Sequence, residues 1–258
     1  MSPLDVSPSI VTNGSTVTIT INHPSANGTL GKVVPNLTSD PAVYETHHKK
    51  FIFEGQPTSA EGWVERAREV SQILAADAAA RDIENKSPRA EVSLLKSAGL
   101  LKILGPEDIG GGGQSWEVGY KVIREVAKGD GSLGMLLGYH LLWSTTANVV
   151  GTNEQKARVQ KLIIENNYFV GGVLPTVITW DTADQSTGAV NPRDNDLKIT
   201  DAGDHLVFEG AKNFNTGGVV SDLTVLEGVF AGTEHHIFAL VPTEQPGIQF
   251  AVRISPKI

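Results

Sequence analysis

Gly210-Ala-Lys-Asn-Phe-Asn-Thr-Gly-Gly-Val-Val-Ser-Asp222 lies between two apolar, β-prone runs, Leu206-Val207-Phe208 before it and Leu223-Thr224-Val225-Leu226 after it. Small, hydroxylic and amide residues between two strand-forming runs read as the turn of a pairing unit. They also expose main chain and hydroxyl groups where a flat ligand can lie. By itself such a turn joins strands and no more, so its meaning depends on what surrounds it.

Upstream the hydrophobic pattern is helical. Ser59, followed by Ala60-Glu61-Gly62, offers an N-cap, and Trp63, Ala67, Val70 and Leu74 then recur at three and four residues. A second short helix over 88–98 has Pro88 near its first turn and stops at Gly99. Residues 116–127 carry Val118, Val122, Ile123 and Val126 on one face, and 132–149 is apolar enough for a central helix buried on several sides, with Ser132 placed as its N-cap. Residues 153–166 group Val159, Leu162 and Ile163. From Tyr168 the period becomes two, with strands expected at 168–172, 196–200, 205–214, 222–230, 235–241 and 247–252.

Helices first and strands second predict an α+β chain: a helical N-terminal domain over 57–166, then a β middle domain over 167–258 built as a small barrel or sandwich. Residues 1–56, rich in Ser, Thr, Asn, Pro and Gly, read as a disordered N-terminal tail in which Val17-Thr-Ile-Thr-Ile21 has a strand's alternation. The 258 residues, 40% of them hydrophobic, can bury a sizeable core. A net charge of -8 with scattered Lys and Arg argues against nucleic acid or an anionic membrane as partner. Cysteine is absent, which excludes thiolate catalysis and Cys-ligated metal and suits a cytoplasmic protein. Three Asn-x-Ser/Thr sequons, at Asn13, Asn27 and Asn36, lie in the N-terminal segment without a secretory signal pattern before them. His205, His235 and His236 do not make a metal site, since adjacent histidines on a strand point to opposite faces and no carboxylate stands at ligand spacing.

Read together, Leu100-Leu-Lys-Ile-Leu-Gly-Pro-Glu-Asp-Ile-Gly-Gly-Gly-Gly113, Gly129-Asp-Gly-Ser-Leu-Gly134, Gly134-Met-Leu-Leu-Gly-Tyr-His140 and the Gly-x-Lys-x-aromatic-x-Thr pattern of 210–216 have the order and rough spacing of the acyl-CoA dehydrogenase superfamily. The chain resembles that superfamily over about residues 58–250. Its Gly-Tyr-His form resembles the branch of reduced-flavin monooxygenases of the dibenzothiophene monooxygenase type. The resemblance implies a flavin, FMN or FAD, bound near Thr216 at N5, with Phe214 packed by the ring system. It also implies flavin contacts from the strand ending at Gly172 and from Asn191 in the loop Ala189-Val-Asn-Pro-Arg-Asp194.

In relatives of this kind the residue matching His140 faces the flavin and assists its oxygen chemistry. The implied substrate is a small organic molecule, the implied partner a flavin reductase, and the complete member a homo-oligomer. From the residues alone, His140 on a face with Leu136, Trp143 and Ser144 reads equally as a satisfied buried histidine, and Thr216 as a turn residue. Two alternatives remain open. One is an acyl-CoA dehydrogenase proper, whose chemistry needs a carboxylate base and whose Thr-Glu-Pro is replaced by Val190-Asn191-Pro192; the other is a catalytically inactive truncated isoform or binding subunit.

Two segments depart from the family. Val173-Leu-Pro-Thr-Val-Ile-Thr-Trp-Asp-Thr-Ala-Asp-Gln-Ser-Thr-Gly188 interrupts the passage from Gly172 to the 189–194 loop, and Val252-Arg-Ile-Ser-Pro-Lys-Ile258 replaces the expected glycine-led continuation into a C-terminal helical bundle. Both are expected to be unspliced introns: removing bases from a GT within the Gly172 codon to an AG made by the last base of the Thr187 codon and the first of the Gly188 codon would rejoin one glycine codon and delete sixteen residues in frame, and Val252 begins with GT. The alternative is a genuine surface hairpin or lid in a natural short isoform.

Overall fold

A computed structural model of the chain describes residues 9–12, 15–22, 38–172, 183–184, 189–190, 197–210, 215–233, 235–248 and 250. In chain order these form strands β1 (Ser9–Thr12) and β2 (Ser15–Asn22), helices α1 (Glu45–Glu54), α2 (Ala60–Ala75), α3 (Ala78–Glu84), α4 (Arg89–Ser97), α5 (Trp116–Gly129), α6 (Gly131–Val150) and α7 (Asn153–Asn166), then strands β3 (Val170–Gly172), β4 (Ala183–Asp184), β5 (Ala189–Val190), β6 (Leu197–Asp201), β7 (His205–Gly210), β8 (Leu223–Phe230) and β9 (His236–Pro242). The chain divides into two compact units. The first holds residues 1–34, 173–215 and 224–258; the second holds 35–172 and 216–223.

The second unit is helical. Ser59 caps α2 by accepting from the Gly62 N–H at 3.1 Å, and the expected stripe of Trp63, Ala67, Val70 and Leu74 is fully buried. Each such side chain stabilises the fold by about 1.5–3 kcal/mol relative to exposure. α5 turns Val118, Val122 and Val126 inward, and α7 opens with a reciprocal capping box between Thr152 and Gln155. α6 has no amphipathic stripe and buries Leu133, Leu136, Leu137, His140, Leu141, Trp143 and Ser144. Its N-cap is Asp130, whose carboxylate accepts from the Leu133 N–H at 3.1 Å, and not Ser132 as the spacing suggested. A carboxylate at that position also faces the positive end of the helix dipole.

The expected tail does not run to residue 56. Residues 41–44 form a 3-10 turn leading into α1, which buries Tyr44 and Phe51 in the helical core, the Arg66 guanidinium lying 4.7 Å from the Phe51 ring centroid. Arg81 anchors this region by donating to the Leu74 carbonyl at 2.7 Å and to Asp130 at 2.8 Å, while it also pairs with Asp77. Upstream of residue 35, β1 and β2 pair antiparallel, with Val17 to Ile21 inside β2 as the alternation predicts.

The expected domain boundary near residue 167 is also displaced. β3 and residues 216–223 belong to the helical unit, where Phe169 and Val220 join its core. The first unit is a mixed sheet in the order β1-β2-β7-β6-β8, with β9 paired to β8. β2 runs parallel to β7, β7 antiparallel to β6, and β6 parallel to β8. Leu197, Ile199, Phe208, Ala239 and Val241 form its core, the alternation of β6 turning Leu197 and Ile199 to the buried face. The sheet is open: no closed barrel or second packed layer of strands occurs among the described residues, and the strand expected at 247–252 is absent at residues 247, 248 and 250. Of the sixteen-residue block, only the β4 pair Ala183–Asp184 is described, hydrogen-bonded antiparallel to β5. The rest of that block and residues 252–258 lie outside the described residues, as does the intron reading that rests on them. Among the described residues no helix is long and apolar enough to cross a membrane.

Candidate functional site

Two of the expected cofactor residues meet within the helical unit. Gly172 and Thr216 form an isolated antiparallel bridge in which each N–H donates to the other's carbonyl at 3.2 Å. Gly172 is required there by sterics. A Cβ at that position would come within 2.6 Å of the Trp143 indole Nε1, because the α6 tryptophan lies against the bare Cα. Gly217, next to Thr216, has φ of +79° and would set a Cβ 2.8 Å from the Phe169 ring, so the turn after the bridge needs glycine both for conformation and for space.

Residues 217–222 are tied down from below. A short 3-10 turn, Gly218–Val220, is closed by the Ser221 hydroxyl donating to the Gly218 carbonyl at 2.8 Å. The Asp222 carboxylate accepts from the Phe169 N–H at 2.6 Å and from Lys96 Nζ at 2.6 Å, linking the turn to α4 and to the start of β3. Both are charge-assisted bonds, which hold position more firmly than neutral ones. Asp222 is therefore engaged in structure.

His140 is fully buried, and both ring nitrogens meet main chain. Nε2–H donates to the Leu101 carbonyl at 2.9 Å, and Nδ1 accepts from the Val170 N–H at 2.9 Å. That pattern requires the neutral Nε2–H tautomer. Burial pushes the imidazole pKa down from 6.5 to about 4, which keeps that tautomer at neutral pH. The ring also stacks on Phe169, with centroids 5.3 Å apart and planes 19° apart. The expected face with Leu136, Trp143 and Ser144 is the buried face of α6. As built, the imidazole joins the 100–102 turn to β3 and leaves no ring nitrogen free for a ligand.

Thr216 differs from His140 in this respect. It is half-buried, and its hydroxyl has no hydrogen-bond partner among the described residues. The Trp143 indole N–H is likewise buried and without a partner. Sequence reasoning named Trp143 only as a neighbour of His140; its lone donor became visible once β3 was seen to lie on it. Phe214 and Asn191 lie outside the described residues. The Thr216 hydroxyl, unpartnered among the described residues, can bond the polar edge of a flat heteroaromatic ring, while the Trp143 indole packs beneath Gly172.

Residues 60–166 match the family model for the acyl-CoA dehydrogenase N-terminal domain. The chain is 32% identical over 194 residues to a dibenzothiophene monooxygenase of Mycolicibacterium goodii, the match covering 72% of this chain and 43% of that protein. Among solved structures it is similar to FMN-bound TdsC from Paenibacillus sp. A11-2, at 26% identity and a TM-score of 0.63, over 72% of this chain and 45% of TdsC. It is also similar to methanesulfinate monooxygenase MsuC from Pseudomonas fluorescens, at 27% identity and a TM-score of 0.62, over 71% of this chain and 44% of MsuC. Residues 60–166 thus carry the acyl-CoA dehydrogenase N-terminal domain. The relatives named here are monooxygenases, and the chain spans less than half of their length.

Proposed function

We propose that the protein is a reduced-flavin monooxygenase that transfers one oxygen atom to a small aromatic or heteroatom-containing substrate, and that the Gly172–Thr216 bridge is the part of its flavin site carried by the helical unit. The observation that bears most weight is the pairing of Thr216, half-buried with its hydroxyl unpartnered among the described residues, with Gly172, whose missing side chain leaves room for the Trp143 indole beneath the strand. A bound reduced flavin supplies the electrons and the oxygen-activating chemistry. The Thr216 hydroxyl holds the ring edge, and Gly172 lets β3 settle on Trp143, which closes the floor against water. His140 acts as a positioning residue, fixing β3 and through it Gly172.

FMN is the favoured cofactor, because TdsC is solved with FMN and also with FMN and indole together. A separate flavin reductase in the cytoplasm supplies the reduced form, and the complete enzyme is a homo-oligomer. The dehydrogenase alternative gains no support at the bridge, where the nearby carboxylate of Asp222 is bonded to Lys96 and to the Phe169 N–H. The test is oxygen uptake by the complete protein with photoreduced FMN and indole under ¹⁸O₂. Label in the organic product supports the reading; thioester-dependent flavin reduction with no label incorporated supports the dehydrogenase instead.

A further inference from the structure

We infer that Lys96 is a positioning residue of the Gly172–Thr216 bridge: from the last turn of α4 it holds both arms of the bridge, and so fixes where the Thr216 hydroxyl stands. Its effect on the cofactor rests on the flavin reading, while its hold on the two arms involves no ligand.

The first arm is the entry to β3. The Lys96 carbonyl accepts from Asn167 Nδ2 at 3.2 Å and from the Gly99 N–H at 3.0 Å. Asn167 is the C-cap of α7, held in the left-handed conformation with φ of 51°, and the chain passes from it through Tyr168 and Phe169 into β3. The point at which the chain leaves α7 for β3 is therefore tied to the end of α4.

The second arm is the turn that follows Thr216. Lys96 Nζ donates to Asp222 Oδ2 at 2.6 Å, and the same oxygen accepts from the Phe169 N–H at 2.6 Å. In return the Phe169 carbonyl accepts from the N–H groups of Asp222 and Leu223, at 2.9 and 3.2 Å. The arms are thus joined at both ends, Phe169 with Asp222 and Gly172 with Thr216. Between those joints a Cβ on Gly171 would lie 3.0 Å from Ser221 and 3.1 Å from the main chain of Gly217, so the arms also touch along their length.

Lys96 and Asp222 are 28% and 30% exposed, and an ion pair so placed contributes little to global stability. What it determines is local geometry. Without the ammonium, Asp222 keeps the Phe169 N–H as its donor but loses its tie to α4, and its charge is better solvated turned toward water. The turn then opens more often at the bridge, and a hydroxyl that wanders holds a ring edge poorly.

The experiment compares residue-resolved amide hydrogen exchange of the 258-residue chain with that of Lys96→Met, Asp222→Asn, Asn167→Gly and Lys96→Arg. Lys96→Met and Asp222→Asn are expected to quicken exchange of the Thr216 and Gly172 amides about three- to tenfold, with little change in melting temperature and parent rates at Ala67 and Val70 of α2. Asn167→Gly, which keeps the left-handed cap and removes the bond to the Lys96 carbonyl, quickens the Gly172 amide by a similar factor. Lys96→Arg keeps a cation for Asp222 and holds exchange at the parent rate.

FMN titration of the complete protein separates the positioning role from the flavin reading. Lys96→Met is expected to weaken FMN about two- to tenfold, and to have no further effect in a Thr216→Val background, because it acts through that hydroxyl. The positioning role is overturned if exchange at Thr216 and Gly172 is unchanged in Lys96→Met, or if Lys96→Met weakens FMN equally with and without the Thr216 hydroxyl. If Thr216→Val binds FMN as tightly as the parent while Lys96→Met still quickens exchange at the bridge, the flavin reading fails and the hold of Lys96 on the bridge is supported.

Discussion

His140 and Val170 are joined by a hydrogen bond of 2.9 Å from the strand's N–H to the imidazole Nδ1, so a side chain of the central helix completes the main-chain bonding of β3. The other nitrogen does the same for the Leu101 carbonyl. Replacing His140 with Ala leaves a buried donor and a buried acceptor unmet and opens a cavity, a combined loss of about 3 kcal/mol or more in urea unfolding. The same bond makes stability depend on pH. The folded-state pKa of about 4 lies below the unfolded value of 6.5, so the unfolded chain takes up the proton first. The stabilisation is complete above 6.5 and is lost progressively as pH falls toward 4, by about 2 kcal/mol at pH 5. A His140→Gln chain, measured against the parent across pH 7 to 4.5, lacks that part of the slope; an unchanged slope shows that the imidazole is not buried neutral.

Gly172 and Trp143 are coupled by contact. Gly172→Ala forces a Cβ into the indole and costs about 1–3 kcal/mol in unfolding free energy. Trp143→Leu removes the obstructing ring, so the double variant is less destabilised than the sum of the singles, with an interaction of roughly 1 kcal/mol in a double-mutant cycle. Strict additivity would place the indole away from Gly172.

Along α6, Met135, Leu142 and Val149 repeat at seven-residue spacing and are 53%, 43% and 85% exposed. Seven residues is close to two helical turns, so the three side chains form one apolar stripe on a helix already buried on its other sides. The isolated 258-residue chain is expected to self-associate and to bind a hydrophobic dye, and Leu142→Glu with Val149→Glu reduces both. Sedimentation velocity checks this: a monomer stable across concentration, with no dye binding, contradicts it.

Much of the fold is legible in the sequence, for reasons that can be stated residue by residue. The stripe of Trp63, Ala67, Val70 and Leu74 and the two-residue alternation of Leu197 and Ile199 are local signals, and both were correct. α1 was hidden because Phe51 is its only buried residue, while Ile52 and Phe53 face outward and blur the period. Asp130 outcompetes Ser132 as a cap because the helix starts at Gly131, two residues before its apolar run opens at Leu133. The closed barrel failed because the sheet's order depends on long-range pairing, β2 with β7 and β6 with β8, which no local pattern encodes. At the site, the burial of His140 followed from its helix face, but its two main-chain partners lie 39 and 30 residues away in sequence. The ion pair of Lys96 with Asp222 spans 126 residues and leaves no trace in composition or spacing.

Residues 173–188 separate Gly172 from the 189–194 loop that resembles a flavin-contacting segment. If the block displaces that loop, removing it from the complete protein tightens FMN binding and speeds oxygen transfer, since small misplacements of positioning residues are costly in rate. Equal FMN affinity and turnover with and without residues 173–188 identify the block as a tolerated loop.

The central claim is that Thr216 and Gly172 form the edge of a flavin site, and the direct measurement is FMN affinity of the complete protein by fluorescence titration. Thr216→Val keeps the shape and removes only a hydroxyl that has no partner in the described structure. It is predicted to leave the unfolding midpoint unchanged while weakening FMN binding about two- to tenfold, the worth of one hydrogen bond. An FMN affinity unchanged in Thr216→Val, with the protein folded, contradicts the account.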